Sequence, residues 1–214
     1  MDASKTISED ELAVLLGDVG EGERRVVAIV GPPGSGKSTL AENLEARLNA
    51  RIAGYAAILP MDGFHFDDQV LIPRGLRPRK GAPETFDIGG FAHMLERLGA
   101  NASNEIAVPV FDRSLEIARA GARVIPRSVR LLIVEGNYLL LDRDGWRNLQ
   151  FETTIMLQVA RDTLRQRLVS RWTHYGKSPD EIALQVDGND MVNVDLVQGS
   201  SRPANFVICE DGSS

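Results

Sequence analysis

One segment of this chain constrains its fold more than any other: residues 31–38, which read Gly31-Pro32-Pro33-Gly34-Ser35-Gly36-Lys37-Ser38. The segment follows an apolar, β-branched run at residues 26–30, and Leu40, Leu44 and Leu48 recur behind it with the spacing of a helix. It matches the pattern G-x-x-x-x-G-K-[ST] at every fixed position. A buried strand that enters a glycine-rich loop and continues as a helix is typical of α/β proteins.

Each residue type in this loop suits the binding of phosphate groups. Glycines let successive backbone N–H groups turn toward one anion, and the start of the following helix adds partial positive charge. Lys37 can reach the β- and γ-phosphates of a nucleotide, and the Ser38 hydroxyl can bind Mg²⁺. We therefore predict that the chain binds ATP and Mg²⁺ through Gly31, Gly34, Ser35, Gly36, Lys37, Ser38 and Thr39.

The remaining chain alternates apolar runs with helical patterns. Further strands are predicted at residues 56–61, 131–134, 153–159 and 204–209, and two shorter strands, 106–111 and 122–125, form a small insertion. This alternation predicts an α/β fold, a parallel sheet with helices on both faces. At 214 residues, of which 43% are hydrophobic, the chain suits a single domain, 1–214, with an N-terminal helical extension at 1–24.

Composition and charge narrow the classes of partner. The formal net charge of −6 disfavours a nucleic-acid or anionic-membrane surface, because such surfaces are bound by excess positive charge. No apolar run reaches the ~20 residues of a membrane helix, and the N-terminus lacks the pattern of a signal peptide. We therefore expect a cytoplasmic protein with no nucleic-acid or membrane partner. Cys209 is the only cysteine, so an internal disulfide is excluded.

Two acidic residues directly follow predicted strands. Asp62 directly follows the run at residues 56–61, and Glu135 directly follows the run at residues 131–134. Ligands of open parallel sheets bind outside the carboxyl ends of the strands, so these acids and Lys37 converge if the strands are neighbours. Glu135 would then suit Mg²⁺ or its water shell, and Asp62 would suit a general base. The alternative is that both acids only cap turns.

Four further segments join the glycine-rich loop in a resemblance to a known family. They are Met61-Asp62-Gly63-Phe64-His65, Arg79-Lys80-Gly81-Ala82-Pro83-Glu84-Thr85-Phe86-Asp87, Pro109-Val110-Phe111-Asp112-Arg113 and Val134-Glu135-Gly136-Asn137-Tyr138. Together they resemble the P-loop kinases of the pantothenate kinase, uridine kinase and phosphoribulokinase family, especially the bacterial branch labelled fructose transport system kinases. The resemblance covers the chain from about Arg25 to Cys209.

The resemblance implies a P-loop kinase core with a five-stranded parallel sheet and an arginine-rich lid at about residues 161–178. It implies that Asp62 is the catalytic base and that Glu135 lies near the metal. It also implies an acceptor site bordered by residues of the matching segments, for which we predict His65, Arg79, Lys80, Glu84, Phe111, Arg113, Asn137 and Tyr138.

The arginines of the predicted lid helix form two rows. Arg161 and Arg165 are four residues apart, as are Arg167 and Arg171, and Leu164 lies between the rows. One row can face the triphosphate while the other is solvated. We predict that Arg161 and Arg165 are the catalytic row, because lid arginines stabilise the transferring phosphoryl group.

These observations favour a kinase that transfers a phosphoryl group from ATP to a hydroxyl of a small molecule. Sugar, vitamin-like and nucleoside acceptors all fit the sequence. The basic cluster of Arg74, Arg77, Arg79 and Lys80 could bind an anionic acceptor or only keep its loop soluble. The alternative function is a nucleotide-binding regulatory module with slow hydrolysis. The oligomeric state is left open, a homodimer included.

Overall fold

The computed structural model describes residues 4–209. Its strands are β1 (Lys5–Thr6), β2 (Arg25–Val30), β3 (Ala56–Pro60), β4 (Glu105–Asp112), β5 (Ile117–Pro126), β6 (Leu131–Gly136), β7 (Thr153–Gln158) and β8 (Phe206–Cys209). Its α-helices are α1 (Glu9–Leu16), α2 (Lys37–Arg51), α3 (Asp68–Leu71), α4 (Ile88–Ala100), α5 (Arg161–His174), α6 (Pro179–Gln185) and α7 (Met191–Ser200). A π-helical turn, Val186–Asp190, joins α6 to α7.

The central sheet has six strands in the order β1-β8-β7-β2-β6-β3, and every neighbouring pair is parallel. The parallel α/β fold is therefore confirmed, but the predicted count of five strands is wrong. The additional strand is β1, which pairs with β8 through Lys5 and Thr6. Two exposed residues at a sheet edge carry no apolar pattern, so only the pairing itself reveals this strand.

Alternate residues of the central strands pack on opposite faces of the sheet. Val27 and Ile29 of β2 face a core that includes α1 and α2, whereas Ala28 and Val30 face a core that includes α4. All six residues of β6 are buried. A strand covered on both faces must be apolar throughout, which explains why these runs stand out in the sequence.

The predicted insertion is confirmed as an antiparallel hairpin of β4 and β5, a separate two-stranded sheet. Its register shifts between Val108 and Val110, where Pro109 lies. The backbone of Pro109 touches Gly63, in the 3-10 turn Met61–Phe64 that follows β3. The hairpin is thereby placed over the carboxyl end of the sheet.

Several helix boundaries agree with their sequence signals. Ser8 and Glu11 form a capping box at α1, and Ser178 and Glu181 form one at α6. Asp87 accepts a hydrogen bond from the N–H of Gly90 and caps α4. Within residues 4–209, none of the helices combines the length and apolarity that a membrane crossing needs.

Candidate active site

The carboxyl ends of three adjacent strands form the site. Glu135 of β6 lies in register with Ile29 of β2 on one side and with Pro60 of β3 on the other. Residues 31–38 therefore leave β2 beside Glu135, and Asp62 follows β3 on the opposite side. The predicted convergence of Lys37, Asp62 and Glu135 depends on this strand order, β2-β6-β3.

The glycine-rich loop joins β2 to α2 through a left-handed residue. Gly36 has φ 85° and is the N-cap of α2, and it provides no side chain to cap the helix. The first N–H groups of α2 are therefore available to an anion. Burial lowers the pKa of Lys37 from its ordinary value, while the carboxylates of Glu135 and Asp62 oppose that change.

Ser38 and Glu135 form a candidate site for a cation. The Ser38 hydroxyl donates to Glu135 Oε2 at 3.2 Å, and Glu135 is 6% exposed. Burial raises the pKa of Glu135, and Lys37 opposes the rise. No cluster of three or more His, Cys, Asp or Glu side chains suited to a metal occurs in residues 4–209. One hydroxyl and one carboxylate fit Mg²⁺, which takes few protein ligands when nucleotide phosphates supply others.

Asp62 lies in a strongly positive environment. Arg113, from the turn of the β4–β5 hairpin, donates to Asp62 Oδ2 at 2.7 Å. Burial alone would raise the pKa of Asp62, but the charges of His65 when protonated, Arg113, Lys37 and Arg171 outweigh burial and lower it. Asp62 is therefore ionised at neutral pH, which a proton acceptor requires.

His65 packs between two aromatic rings next to Asp62. Its ring centroid lies 3.9 Å from that of Phe86 and 4.8 Å from that of Phe111. Its Nδ1 is 2.9 Å from the carbonyl oxygen of Asp62; since a carbonyl only accepts, Nδ1 carries the proton. Burial lowers the pKa of His65, so the ring is neutral near pH 7 and its Nε2 can accept a hydrogen bond.

A cavity of about 420 Å³ opens beside these groups. Asp62 and the phosphate-loop residues Lys37 and Ser38 line it, together with five of the eight predicted acceptor residues: His65, Lys80, Phe111, Arg113 and Asn137. The buried Oδ1 of Asn137 has no hydrogen-bond partner in the described chain. The cavity has the size of a small-molecule site.

Three predicted acceptor residues do not line this cavity. Arg79 donates to Asn189 Oδ1 at 2.9 Å, and Glu84 lies 3.7 Å from Arg143. Tyr138 is fully buried, and its hydroxyl donates to the carbonyl of Gly81 at 2.6 Å. These side chains hold the surrounding loops, and their role as acceptor contacts stays a prediction.

The expected catalytic arginines, Arg161 and Arg165, form ion pairs in this structure and do not line the cavity beside Asp62. Arg161 pairs with Asp195, and Arg165 pairs with Asp187 through two hydrogen bonds of 3.0 Å. The opposite row faces the glycine-rich loop: Arg167 donates to the carbonyl of Gly34 at 3.3 Å, and Arg171 lines the cavity. Leu164 and Leu168 bury against the π-helical turn and α7, and this packing sets the rotation of α5.

Sequence reasoning missed a further group of cavity residues. Trp172, Tyr175, Lys177 and Asp190 all line the cavity. The indole N–H of Trp172 donates to Asp190 Oδ2 at 2.6 Å, and Lys177 Nζ lies 4.2 Å from the Trp172 ring centroid. The only sequence signal was their nearness to the arginine rows, and nothing in that pattern indicates which face of α5 turns inward.

A second cavity, of about 900 Å³, lies on the other side of the glycine-rich loop. Gly36, Thr39 and Arg167 contribute to its wall, and the N-terminal segment contributes Ser8 and Glu11. The two cavities therefore flank residues 31–38, one beside Asp62 and one beside α1.

Comparison with known proteins identifies related sequences and a related crystal structure. No protein-family model matches the chain. It is 35% identical to the uncharacterized protein YggC of Escherichia coli, over 86% of this chain and 77% of that protein. It is 31% identical to the "Putative uridine kinase C227.14" of Schizosaccharomyces pombe, over 97% of this chain and 93% of that protein. A crystal structure described as a "putative fructose transport system kinase" from Silicibacter sp. TM1040 superposes with a TM-score of 0.85 at 42% identity, over 94% of this chain and 98% of that one.

Proposed function

Because this chain belongs to the P-loop kinases related to uridine and pantothenate kinases, we propose that it transfers the γ-phosphoryl group of ATP to a hydroxyl of a small molecule. The observation that carries the proposal is the convergence of Lys37, Asp62 and Ser38 on one cavity beside the phosphate loop. The reaction is ATP + R–OH → ADP + R–O–phosphate, and the hydroxyl proton leaves to a base.

The acceptor would lie in the cavity of about 420 Å³. Asp62 would orient the acceptor hydroxyl and take its proton, and His65 Nε2 and Asn137 Oδ1 would accept hydrogen bonds from other hydroxyls. Arg113 holds Asp62 at 2.7 Å, so a bound acceptor must share or replace that contact. Phe111 supplies an apolar wall, which favours a compact organic alcohol over water.

ATP would lie across the phosphate loop with its γ-phosphate toward Asp62. The nucleoside then falls on the opposite side, where the cavity of about 900 Å³ adjoins Gly36 and Thr39. Lys37 and the first N–H groups of α2 would hold the phosphates. Arg167 and Arg171 reach this region from α5. Closure of this helix over the phosphates would exclude water, whose attack would waste ATP.

Ser38 and Glu135 would hold Mg²⁺ beside the phosphates. When bound, the ion would neutralise part of the charge on the β- and γ-phosphoryl oxygens. Lys37, which lies close enough to Glu135 to affect its pKa, would balance the remaining negative charge of the site.

The experiment that tests this proposal is an acceptor panel with Mg-ATP as the donor. The panel contains sugars, vitamin-like alcohols and nucleosides. Each compound is paired with an anionic derivative of the same alcohol where one exists. ADP formation and a phosphorylated product are measured together. We expect ADP formation that depends on one class of alcohol, with one product formed for each ADP.

ADP formation that no alcohol accelerates would instead support the regulatory alternative. Protein with Asp62→Asn serves as the control, because it keeps the shape of the side chain and removes the proposed base. Preference for the anionic member of each pair would assign the basic residues Arg77 and Lys80 to acceptor binding.

A further inference from the structure

The π-helical turn Val186–Asp190 interrupts an otherwise continuous helical segment between α6 and α7. The N–H of Met191 donates to the carbonyl of Val186, five residues back, so this turn holds one residue more than an α-helical turn. Such turns recur at functional sites because they redirect neighbouring side chains. Here Asp187 and Asp190 contact α5, whereas Asn189 contacts the 77–86 loop.

Two of these side chains bind α5. Asp187 accepts both hydrogen bonds from Arg165, but both residues are about half exposed, and exposed pairs contribute little. The firmer contact is Asp190, which is 8% exposed and accepts from the indole N–H of Trp172 at 2.6 Å and from Gln185 at 3.2 Å. The same α5 contacts the phosphate loop through Arg167.

The third side chain, Asn189, binds the 77–86 loop, which lies along the acceptor cavity. Asn189 is 4% exposed, and its Nδ2 donates to the carbonyl of Lys80 at 3.0 Å. Its Oδ1 accepts from Arg79 Nη1 at 2.9 Å. The side chain of Lys80 lines the cavity, so Asn189 fixes the backbone that positions a cavity cation.

From these contacts we infer that Asn189 is a positioning residue that couples the 77–86 loop to the nucleotide site. A nucleotide on the phosphate loop stabilises α5 through Arg167 and Arg171. α5 holds the π-helical turn through Trp172 and Asp190, and the turn holds the loop through Asn189. Binding at one site therefore orders the other, and by thermodynamic linkage the effect is reciprocal. This inference rests on the proposed function, since it requires nucleotide binding at residues 31–38.

Hydrogen exchange measured by mass spectrometry tests the coupling without knowledge of the acceptor. The probe is Mg²⁺ with the non-hydrolysable ATP analogue AMP-PNP. The amides of Lys80 and Ala82 donate to the carbonyls of Arg77 and Arg79 in the same loop, so their exchange reports its local opening. In wild type, the probe should slow exchange several-fold in both the phosphate loop and the 77–86 loop.

The decisive variant is Asn189→Ala. In this variant the probe should slow exchange in the phosphate loop as much as it does in wild type. In the 77–86 loop, exchange with the probe should be at least as fast as in wild type without the probe. A merely structural role for Asn189 would raise exchange with and without the probe by the same factor. Asp195→Asn is the matched control: it breaks an exposed pair between α7 and α5, Arg161–Asp195, and should leave both responses intact.

Arg79→Met gives a second reading of the same contact, from the loop side, if Asn189→Ala fails to fold. The experiment distinguishes failure of the proposed function from failure of the coupling. Absence of slowing in the wild-type phosphate loop would contradict the proposed function. Slowing there without slowing in the 77–86 loop, or a full loop response in both Asn189→Ala and Arg79→Met, would overturn the coupling alone.

Discussion

At the scale of single residues, the pairing of Asp62 with Arg113 governs the proposed base. The pair lies 2.7 Å apart at the mouth of the cavity, and Arg113 is half exposed while Asp62 is mostly covered. The arginine keeps the carboxylate ionised and in place, and it also weakens the carboxylate as a base. An acceptor hydroxyl that displaces Arg113 would restore basicity at the moment of transfer.

Replacing the carboxylate should separate its roles as base, metal ligand and cap. Asp62→Asn should lower kcat by roughly 10²–10⁴-fold with the acceptor that the panel identifies, because a positioned base contributes about that much. Calorimetry should show near-normal Mg-ATP affinity. Weaker Mg-ATP binding would make Asp62 a metal ligand, and near-normal transfer would reject the base assignment.

Removing the partner should change the pH profile. Arg113 lowers the pKa of Asp62, and an acid with a lowered pKa stays ionised to lower pH. In Arg113→Ala the pKa of Asp62 should rise, so the acidic decline of kcat/KM should begin at higher pH than in wild type. A decline at the same pH in both proteins would show that another group controls it.

The two arginine rows of α5 should differ in turnover. Arg171→Ala should lower kcat, by as much as ~10³-fold if Arg171 contacts the transferring phosphoryl group, as arginine fingers do. Arg165→Ala removes only an exposed pair with Asp187 and should leave kcat close to wild type. A larger loss of kcat in Arg165→Ala than in Arg171→Ala would support Arg161 and Arg165 as the catalytic row.

At the scale of elements, the acceptor site depends on how the β4–β5 hairpin docks. Phe111 and Arg113 reach the cavity from the hairpin, whereas Asp62 and His65 reach it from the segment after β3. The contact between these elements passes through Gly63, where an added Cβ would lie 2.5 Å from the carbonyl oxygen of Pro109. Both sides of this contact are backbone, so no flexible side chain can move aside to relieve the clash.

A methyl group at this contact should displace the hairpin. Gly63→Ala should lower the free energy of unfolding by about 1–3 kcal/mol, the usual range for overpacking, and raise the KM for the acceptor more than the KM for ATP. Urea denaturation and steady-state kinetics measure the two effects. Gly89→Ala is the matched control, because its nearest contact would be an ordinary 3.7 Å to Asp87. Equal effects at both positions would show that hairpin docking is not the cause.

At the scale of the whole molecule, the phosphate loop links nucleotide binding to stability. Residues 31–38 leave β2, which lies between β7 and β6 in the middle of the sheet, and continue into α2. A ligand held there is bound only by the folded chain, so it must stabilise the fold. Nucleotide binding can therefore be read from unfolding before any acceptor is known.

Mg-ATP should raise the melting temperature of wild type and not that of Lys37→Ala. A ligand at 100 times its Kd stabilises the folded state by about 2.7 kcal/mol, a shift that thermal unfolding resolves easily. Arg97→Ala, which removes an exposed cation on α4, should respond as wild type does. Equal shifts in Lys37→Ala and wild type would place the nucleotide elsewhere.

Local signals in the sequence were enough to predict much of this protein. The glycine-rich loop, the capping boxes at Ser8 and Ser178, and the strand-end acids Asp62 and Glu135 are each encoded within a few consecutive residues. Strands buried on both faces need continuous apolar runs, so the central sheet was readable too. The edge strand β1 was not, because two exposed residues have no pattern to read.

The tertiary structure alone decided which side chains enter the cavity. Arg79 and Asn189 are 110 positions apart, and Arg113 and Asp62 are 51 apart, so no local pattern records either contact. The two arginine rows of α5 have the same spacing, and only the burial of Leu164 and Leu168 turns Arg167 and Arg171 inward. Spacing determines which residues share a helix face, whereas the packing partner of that helix determines where the face points.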